Sequence, residues 1–207
     1  MIMREPTDVF GEWAEIGKDR GMEDSHEIAV NEMINFALKE RLEIGEKFSF
    51  LDLGCGNGWV ARLAANNELC SQAIGIDGAQ QMISNAQSRG GKTKYILADI
   101  NTFNSPEKYD VIHSMEVLYY LENPADIVKR ISDSWLNKNG RLIVGLDHYY
   151  ENKDSHSWQE KIDTPMLMLK AAEWVQMFKK AGLNEVETWY SNKHADWNGT
   201  LVITGIK

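Results

Sequence analysis

The amino-acid sequence predicts an α/β protein: a three-layer sandwich whose central sheet has seven strands, mostly parallel, with an antiparallel hairpin at its C-terminal end. Two observations support this prediction. Short apolar runs alternate along the chain with segments whose apolar residues recur at helical spacing, which is typical of parallel strands joined by crossover helices. The last two runs follow one another without a helical segment between them, as in a hairpin.

The predicted strands are short and mostly apolar. They span Phe48 to Leu53, Gln72 to Asp77, Lys94 to Ala98, Tyr109 to Ser114, Arg141 to Leu146, Glu185 to Tyr190 and Gly199 to Ile206. In such a sheet, ligands bind outside the carboxyl ends of the strands, at the point where the strand order reverses. We therefore expect the functional residues in the loops that follow the strands.

Five further segments carry apolar residues at helical spacing. They span Asp24 to Leu42, Trp59 to Asn66, Ala79 to Ser88, Pro124 to Asn137 and Ala171 to Ala181. Asp24 and Glu27 are expected to cap the first of these helices, and Gly182 is expected to end the last one.

The composition excludes several classes of protein. The 207 residues suit one domain, since domains have about 100–200 residues. With 31 acidic and 22 basic residues the net charge is −9, which makes a large nucleic-acid interface unlikely. There is no apolar run of roughly 18 residues to span a membrane, and the first residues do not resemble a secretion signal. Two cysteines, Cys55 and Cys70, provide neither a disulfide framework nor a zinc site, so we expect a cytoplasmic protein.

The loop after the first predicted strand is rich in glycine and reads DLGCGNG over residues 52–58. Glycines allow the backbone to approach a ligand closely, and the following helix offers free N–H groups to it. A dinucleotide-binding G-x-G-x-x-G motif would place glycine at position 59, which is Trp59, and no Gly-Lys-Ser/Thr run of a P-loop is present. The loop instead resembles the first motif of class I S-adenosylmethionine-dependent methyltransferases.

The resemblance to this family continues along the chain. Asp77 ends the second predicted strand, where the family has an acidic residue that accepts both ribose hydroxyls, and Gly78 follows it. Met82 stands where an apolar side chain packs on adenine. Asp99 and Ile100 end the third strand, where a carboxylate and a backbone N–H bind the adenine.

Two further segments, residues 109–121 and 139–147, are similar to the fourth and fifth strands of the family, so the resemblance covers roughly residues 45–147. It implies a Rossmann-like domain over residues 45–207, with residues 1–44 forming an N-terminal lid and helix of the same domain. The implied cofactor site consists of Asp52, Gly54, Cys55, Gly56, Gly58, Asp77, Gly78, Met82, Asp99, Ile100 and Ser114, with Trp13 and Arg20 from the lid.

Several of these residues also have plain structural interpretations. Asp52 would orient the loop through hydrogen bonds, and Cys55 would be a small side chain that fits. Asp77 would cap the next helix, since aspartate is a favoured N-cap. Asp99 would be a solvated turn residue, and Met82 would belong to the core.

The methyl acceptor is less well specified by the sequence. Methyl transfer from a sulfonium needs alignment rather than a metal, and no cluster of metal-ligand spacing is evident, so we expect no metal. The Asn/Asp-Pro-Pro-Tyr/Phe motif of amino-methylating DNA enzymes is absent. We expect a small-molecule acceptor, with nitrogen or oxygen favoured over carbon because the loop after the fifth strand is rich in histidine and tyrosine.

The candidates on the acceptor side are histidines and aromatic residues. The candidate general bases are His113, His148 and His156. The candidate substrate-binding residues are Tyr119, Tyr149, Tyr150 and Trp158, which could hold a cationic amine by cation–π contact. The simpler interpretation is a polar loop with aromatic residues packed at the domain edge. His194 and Trp197 offer no functional interpretation.

The sequence therefore predicts an enzyme that moves a methyl group from S-adenosylmethionine to a small molecule and releases S-adenosylhomocysteine, acting as a monomer or homodimer. A non-catalytic S-adenosylmethionine-binding partner or sensor is the alternative, because binding and turnover use different residues. A nicotinamide oxidoreductase has the same fold class, but the glycine spacing is against it.

Overall fold

The computed structural model describes residues 3–207, so the first two residues of the expected N-terminal lid lie outside the described residues. The sheet has seven strands in the order β3-β2-β1-β4-β5-β7-β6, and β7 runs antiparallel to both of its neighbours. The strands are β1 (Phe48–Leu53), β2 (Cys70–Asp77), β3 (Lys94–Leu97), β4 (Tyr109–Met115), β5 (Leu136–Leu146), β6 (Asn184–Ser191) and β7 (Thr200–Ile206). The predicted sheet and its C-terminal hairpin are confirmed.

Helices cover both faces of this sheet. They are α1 (Pro6–Glu15), α2 (Asp19–Ile44), α3 (Trp59–Ala65), α4 (Gln80–Ser88), α5 (Pro124–Arg130), α6 (Trp158–Ile162) and α7 (Ala171–Lys180). Alternate residues of β1 point to opposite faces, as the pleat requires. Phe48 and Phe50 pack in the apolar cluster that contains α2 and α3, whereas Leu51 and Leu53 pack in the cluster that contains α5 and α7.

The start of α2 differs from the prediction. The helix begins at Asp19, so the cap expected at Asp24 and Glu27 is wrong, and both of these residues are exposed within the helix. The additional turn is held by tertiary contacts. Arg89 donates to the buried Asp19 side chain at 3.1 Å, and the Asn57 amide donates to the Asp19 carbonyl at 3.0 Å.

The helix predicted from Pro124 to Asn137 is also shorter. It ends as an α-helix at Arg130, continues as one π-helical turn over Ile131–Trp135, and gives way to β5 at Leu136. This turn buries the Trp135 side chain and allows Leu136 to pair with Tyr109 of β4. Helices α1 and α6 have no counterpart among the predicted elements. No helix within residues 3–207 is both long and apolar enough to cross a membrane.

Gly58 fixes the turn that joins β1 to α3. Its φ of 79° lies in the left-handed region, and a Cβ built on it would lie 2.4 Å from Cε1 of Tyr95, whose hydroxyl donates to the Gly58 carbonyl. Gly17, between α1 and α2, has a similar φ of 75° with open space around it. The two positions therefore share a backbone requirement and differ in packing.

We expect Gly58→Ala to lower the free energy of unfolding more than Gly17→Ala does, as measured by urea denaturation. Gly17→Ala should cost about 1–2 kcal/mol for the left-handed backbone. Gly58→Ala should cost about 1–3 kcal/mol more, because Tyr95 must move to admit the methyl group. Equal losses in the two variants would show that Tyr95 does not constrain the turn.

Candidate functional site

A cleft of about 360 Å³ lies over the carboxyl ends of the parallel strands. Strand β1 is flanked by β2 on one side and β4 on the other, so the strand order reverses there. The glycine loop after β1 forms one wall, the segments after β2 and β3 form a second, and the segment after β4 forms a third. Thr7 and Phe10 of α1 close the cleft from above.

Asp77 joins the glycine loop to helix α4. Its Oδ2 accepts a hydrogen bond from the Gly56 N–H at 2.8 Å, and its Oδ1 accepts one from the Ala79 N–H at 2.8 Å. Burial raises the pKa of this carboxyl to about 6, although the hydrogen bonds act in the opposite direction. Because a carboxylate has about four acceptor positions, Asp77 can hold the loop and still accept hydrogen bonds from a ligand in the cleft.

Seven of the residues predicted to bind the cofactor line this cleft. They are Gly54, Gly56, Asp77, Gly78, Met82, Asp99 and Ile100. At Gly54 the φ is 69°, and a Cβ would lie 2.3 Å from Cγ2 of Val117, so the loop meets the segment after β4 only because no side chain is present. Asp99 is exposed, and its Oδ1 accepts a hydrogen bond from the Asn101 N–H at 2.9 Å.

The other predicted cofactor residues do not line the cleft. Asp52 is buried beneath the glycine loop, where its Oδ1 lies 2.7 Å from Nδ1 of His113. The Ser114 hydroxyl donates to the Leu53 carbonyl at 3.0 Å. Burial raises the pKa of the Cys55 thiol well above its usual range. Gly58 faces Tyr95. None of these four residues lines the cleft, but Asp52 and Cys55 line a smaller cavity of about 50 Å³ that shares Gly54 and Gly56 with it.

The two lid residues lie in different places. Trp13 is half-buried and lines a second cavity, described next, rather than the cleft, whereas Arg20 is exposed and lines neither. Instead, Pro6, Thr7, Phe10 and Met22 are the residues of α1 and α2 that line the cleft.

The second cavity adjoins the cleft and has a volume of about 770 Å³. The two share Phe10, Met22, Glu116 and Tyr120 as a common wall. Aromatic side chains form much of the remaining lining: Trp13, Tyr119, Trp158 and Trp197. Of the predicted substrate-binding residues, Tyr119 and Trp158 therefore line this cavity, and Trp197, for which the sequence offered no function, lines it as well.

Most of the histidine- and tyrosine-rich segment after β5 packs elsewhere. His148 is buried with Nδ1 3.1 Å from the Ser155 carbonyl, and burial lowers the pKa of its imidazole. The buried Tyr149 hydroxyl donates to the Gly199 carbonyl at 2.9 Å. Tyr150 and His156 are exposed beside each other, with His156 Nε2 2.8 Å from the Tyr150 carbonyl. None of these four residues lines either cavity, because His148 and Tyr149 are buried against backbone carbonyls and Tyr150 and His156 lie at the surface.

His113 reaches neither the cleft nor the second cavity. It is fully buried, paired with Asp52, and lines the smaller cavity, so none of the three candidate bases lines the cleft or the second cavity. Three titratable residues that the sequence analysis did not select line the second cavity: His26, Glu116 and Asp147.

These three residues form a compact cluster on the wall of the second cavity. Nε2 of His26 lies 3.3 Å from Oδ2 of Asp147. Glu116 accepts hydrogen bonds from the Tyr119 hydroxyl at 2.7 Å and from the Asp147 N–H. One nitrogen or oxygen atom from each of the three side chains lies within 4.8 Å of the others, close enough to surround one small cation.

The cluster retains protons at neutral pH. Burial, together with the charge of Asp147, raises the pKa of Glu116 to about 8. Burial alone would lower the pKa of His26, but the hydrogen bond to Asp147 and the charges of Glu116 and Asp147 raise it to about 9. Glu116 and Asp147 could have been selected from the sequence, because they directly follow β4 and β5. His26 could not have been selected in this way, because its position depends on how α2 packs.

Comparison with known proteins shows the family to which this chain belongs. A family model described as a methyltransferase domain matches residues 23–188. The chain belongs to this methyltransferase family. The match confirms the resemblance of the sequence motifs to class I methyltransferases, whose cofactor is S-adenosylmethionine.

Individual methyltransferases are similar over much of the chain. (S)-coclaurine N-methyltransferase of Papaver somniferum is 29% identical over 177 residues, which cover 76% of this methyltransferase and 50% of the relative. Malonyl-(acyl-carrier protein) O-methyltransferase of Halalkalibacterium halodurans is 32% identical over 127 residues, which cover 56% of this chain and 46% of the relative. The chain thus spans about half the length of these curated relatives.

Among solved structures, a methyltransferase in complex with the Haloferax volcanii Trm112 methyltransferase activator is similar over 98% of both chains. The TM-score is 0.78 and the sequence identity is 26%.

We expect the affinity of this methyltransferase for S-adenosylhomocysteine to fall as the pH is lowered through about 6. Hydrogen bonds from ribose hydroxyls would favour the ionised form of Asp77, so binding releases the proton that burial retains there. Calorimetric titration should show a Kd about five- to tenfold higher at pH 5 than at pH 7.

Asp77→Asn is the control for this titration. The variant should bind S-adenosylhomocysteine weakly at both pH values, without the wild-type trend. A wild-type Kd that is constant between pH 5 and pH 7 would contradict the assignment of Asp77 to the ribose.

Proposed function

We propose that the protein transfers the methyl group of S-adenosylmethionine to a nitrogen or oxygen atom of a small molecule. One observation carries the proposal: the cleft formed by the glycine loop and the aromatic cavity beside it share a wall at Phe10, Met22, Glu116 and Tyr120. A cofactor in the first space and an acceptor in the second would meet at that wall. Relatives named as N- and O-methyltransferases support the same reaction class.

The residues of the cleft fit the cofactor. Asp77 would accept the ribose hydroxyls, and Asp99 with the Ile100 backbone would bind the adenine over Met82. The glycines at positions 54, 56 and 78 leave the walls free of side chains, and a Cβ at position 78 would lie 2.6 Å from Cγ2 of Thr7 in the covering helix. Trp13 would contact the acceptor rather than the methionine moiety, because it lines the second cavity.

The protein's contribution to catalysis would be alignment and exclusion of water. The cofactor supplies an already activated methyl group on a sulfonium. The acceptor must approach in line with the bond to sulfur, and holding two reactants in that geometry removes much of the entropic barrier. Phe10 supports this alignment from α1, since its ring lies edge-on to those of Trp13 and Tyr120, with centroids 5.3 and 5.2 Å away.

The non-catalytic alternative is not favoured, because the matched relatives are named as enzymes and a large acceptor cavity adjoins the cleft. We also propose a cytoplasmic location, since Cys55 and Cys70 are free thiols, as a reducing compartment would keep them.

To test the function, the purified protein is incubated with methyl-labelled S-adenosylmethionine and a panel of amines, phenols and carboxylates. We expect label to move to at least one acceptor class, with formation of one S-adenosylhomocysteine for each methyl group transferred. Cofactor binding without transfer to any acceptor would favour the non-catalytic alternative instead.

Two aromatic variants provide the matched control. Trp158→Ala removes apolar surface from the second cavity and should raise the acceptor KM about tenfold with an unchanged Kd for S-adenosylhomocysteine. Tyr150→Ala removes an exposed ring from the same segment and should change neither value. Equal effects of the two variants would show that acceptors do not bind in this cavity.

We further propose that the protein binds a small activator protein of the Trm112 kind, because similarity to the Haloferax volcanii methyltransferase extends over 98% of both chains. Co-expression with such an activator should give a complex that co-elutes in size-exclusion chromatography and has a higher Tm than the methyltransferase alone. Separate elution with an unchanged Tm would contradict this partner.

A further inference from the structure

We propose that Glu116 and Asp147, supported by His26, bind the methyl acceptor as a protonated amine with an apolar body, and that Glu116 takes the proton which the amine must lose. The inference rests on the proposed function and narrows it from nitrogen or oxygen acceptors to amines.

Glu116 places the cluster at the boundary between the two cavities. Glu116 lines both the cofactor cleft and the second cavity, so a group bound to its carboxylate lies at the boundary where the methyl group would cross. The backbone holds it there, because the Glu116 N–H donates to the Gly145 carbonyl of β5 at 2.9 Å. Parallel pairing of Met115 with Gly145 brings the carboxyl ends of β4 and β5, and hence Glu116 and Asp147, side by side.

The hydrogen bonding of the cluster is incomplete. The Asp147 side chain is only 7% exposed, and its Oδ1 has no hydrogen-bond partner among residues 3–207. A buried carboxylate oxygen without a donor is costly, because it has lost its hydration and gained nothing in return. An ammonium group donates up to three hydrogen bonds and would supply the missing donor.

The charge of the cluster favours a cation. With His26 protonated and both carboxyl groups ionised, as they would be with an amine bound, the cluster carries one negative charge that the ammonium would neutralise. A bound ammonium would lower the pKa of Glu116, so the proton that Glu116 holds in the empty site is released when the amine arrives. The two lysines that line the cavity, Lys18 and Lys161, are exposed to solvent. Nζ of Lys18 lies over the ring of Trp13.

The rest of the cavity suits the apolar part of an amine. Tyr119, Tyr120 and Trp158 present ring surface beside the carboxylates, and aromatic faces attract cations as well as burying apolar groups. A neutral alcohol would gain the apolar contacts but would place no positive charge against Glu116 and Asp147.

Glu116 has a backbone conformation that glutamate rarely adopts. Its φ is 60°, in the left-handed region, which is strained for a residue with a side chain and not for glycine. Strained residues of this kind cluster at functional sites, where a side chain is needed despite the cost. Glycine at this position would relieve the strain and remove the carboxylate.

The proposed step balances in atoms and charge. The ammonium nitrogen gives one proton to the Glu116 carboxylate, which becomes a neutral acid, and the nitrogen lone pair is freed. That lone pair forms the new bond to the methyl carbon while the bond from methyl carbon to sulfur breaks and leaves its electron pair on sulfur. The products are the methylated ammonium ion and S-adenosylhomocysteine, and Glu116 returns its proton to solvent.

The test is calorimetric titration of the protein saturated with S-adenosylhomocysteine. The probes are phenethylamine and tryptamine, each paired with the alcohol that carries hydroxyl in place of the amino group. We expect each amine to bind the wild-type protein at least about tenfold more tightly than its alcohol, the effect of one charge-assisted hydrogen bond. Glu116→Gln and Asp147→Asn should abolish that preference while the Kd for S-adenosylhomocysteine stays within about threefold of the wild-type value.

Two further variants control for a general loss of negative charge and for an effect of the Glu116 backbone conformation. Glu160→Gln removes an exposed carboxylate of the adjacent helix α6 and should retain the amine preference. Glu116→Gly should lose the preference and remain folded, because the relief of the left-handed backbone offsets part of the loss of the hydrogen bonds from Tyr119 and Asp147.

Several outcomes would overturn the inference. Equal affinity for amines and alcohols, or preserved amine preference in Glu116→Gln and Asp147→Asn, would overturn it while leaving the proposed function intact. Tight binding of ZnCl₂ or MgCl₂ that is lost in Glu116→Gln would assign the cluster to a metal ion instead. Absence of S-adenosylhomocysteine binding by the wild-type protein would overturn both the inference and the proposed function.

Discussion

The reversal of strand order between β1 and β4 is the constraint on which the site depends. From β1 the chain turns first toward β2 and β3 at one edge of the sheet, then crosses to β4 and β5 on the other side. The loops after β1 and β4 therefore diverge and leave a crevice between them, as in other open parallel sheets. The glycine loop, Glu116 and Asp147 all lie along this edge because each directly follows a parallel strand.

The two N-terminal helices turn this crevice into two adjoining compartments. Phe10 of α1 and Met22 of α2 pack with Ala14, Ala79 and Met82, so the cover is attached to α4 through apolar contacts. One turn further along α2, His26 meets Asp147. The cleft and the second cavity therefore share part of their walls, so the proposed cofactor and acceptor would contact some of the same side chains.

Much of the fold could be predicted from the sequence because each strand is a buried apolar run ended by a turn. Glycine spacing and Asp77 predicted residues that line the cleft for a similar reason, since the turn after β1 requires glycines at fixed positions in the sequence. The acceptor side could not be predicted this way. The histidines and tyrosines at positions 148–150 and 156 attracted attention by residue type, but tertiary packing uses them for hydrogen bonds to the Ser155, Gly199 and Tyr150 carbonyls or leaves them at the surface. Glu116 and Asp147 could have been selected because they follow the ends of strands. The place of His26 could be known only from the position of α2 in the fold.

A crystal structure of the protein with S-adenosylhomocysteine bound would test the central claim most directly. The quantity to measure is the distance from the ligand sulfur to the Glu116 carboxylate. We predict the ribose hydroxyls at Asp77 and the sulfur within about 8 Å of Glu116, the reach of a methyl group, an attacking nitrogen and one hydrogen bond. A sulfur that points away from the shared wall, or a ligand that occupies the aromatic cavity, would contradict the assignment of the two compartments.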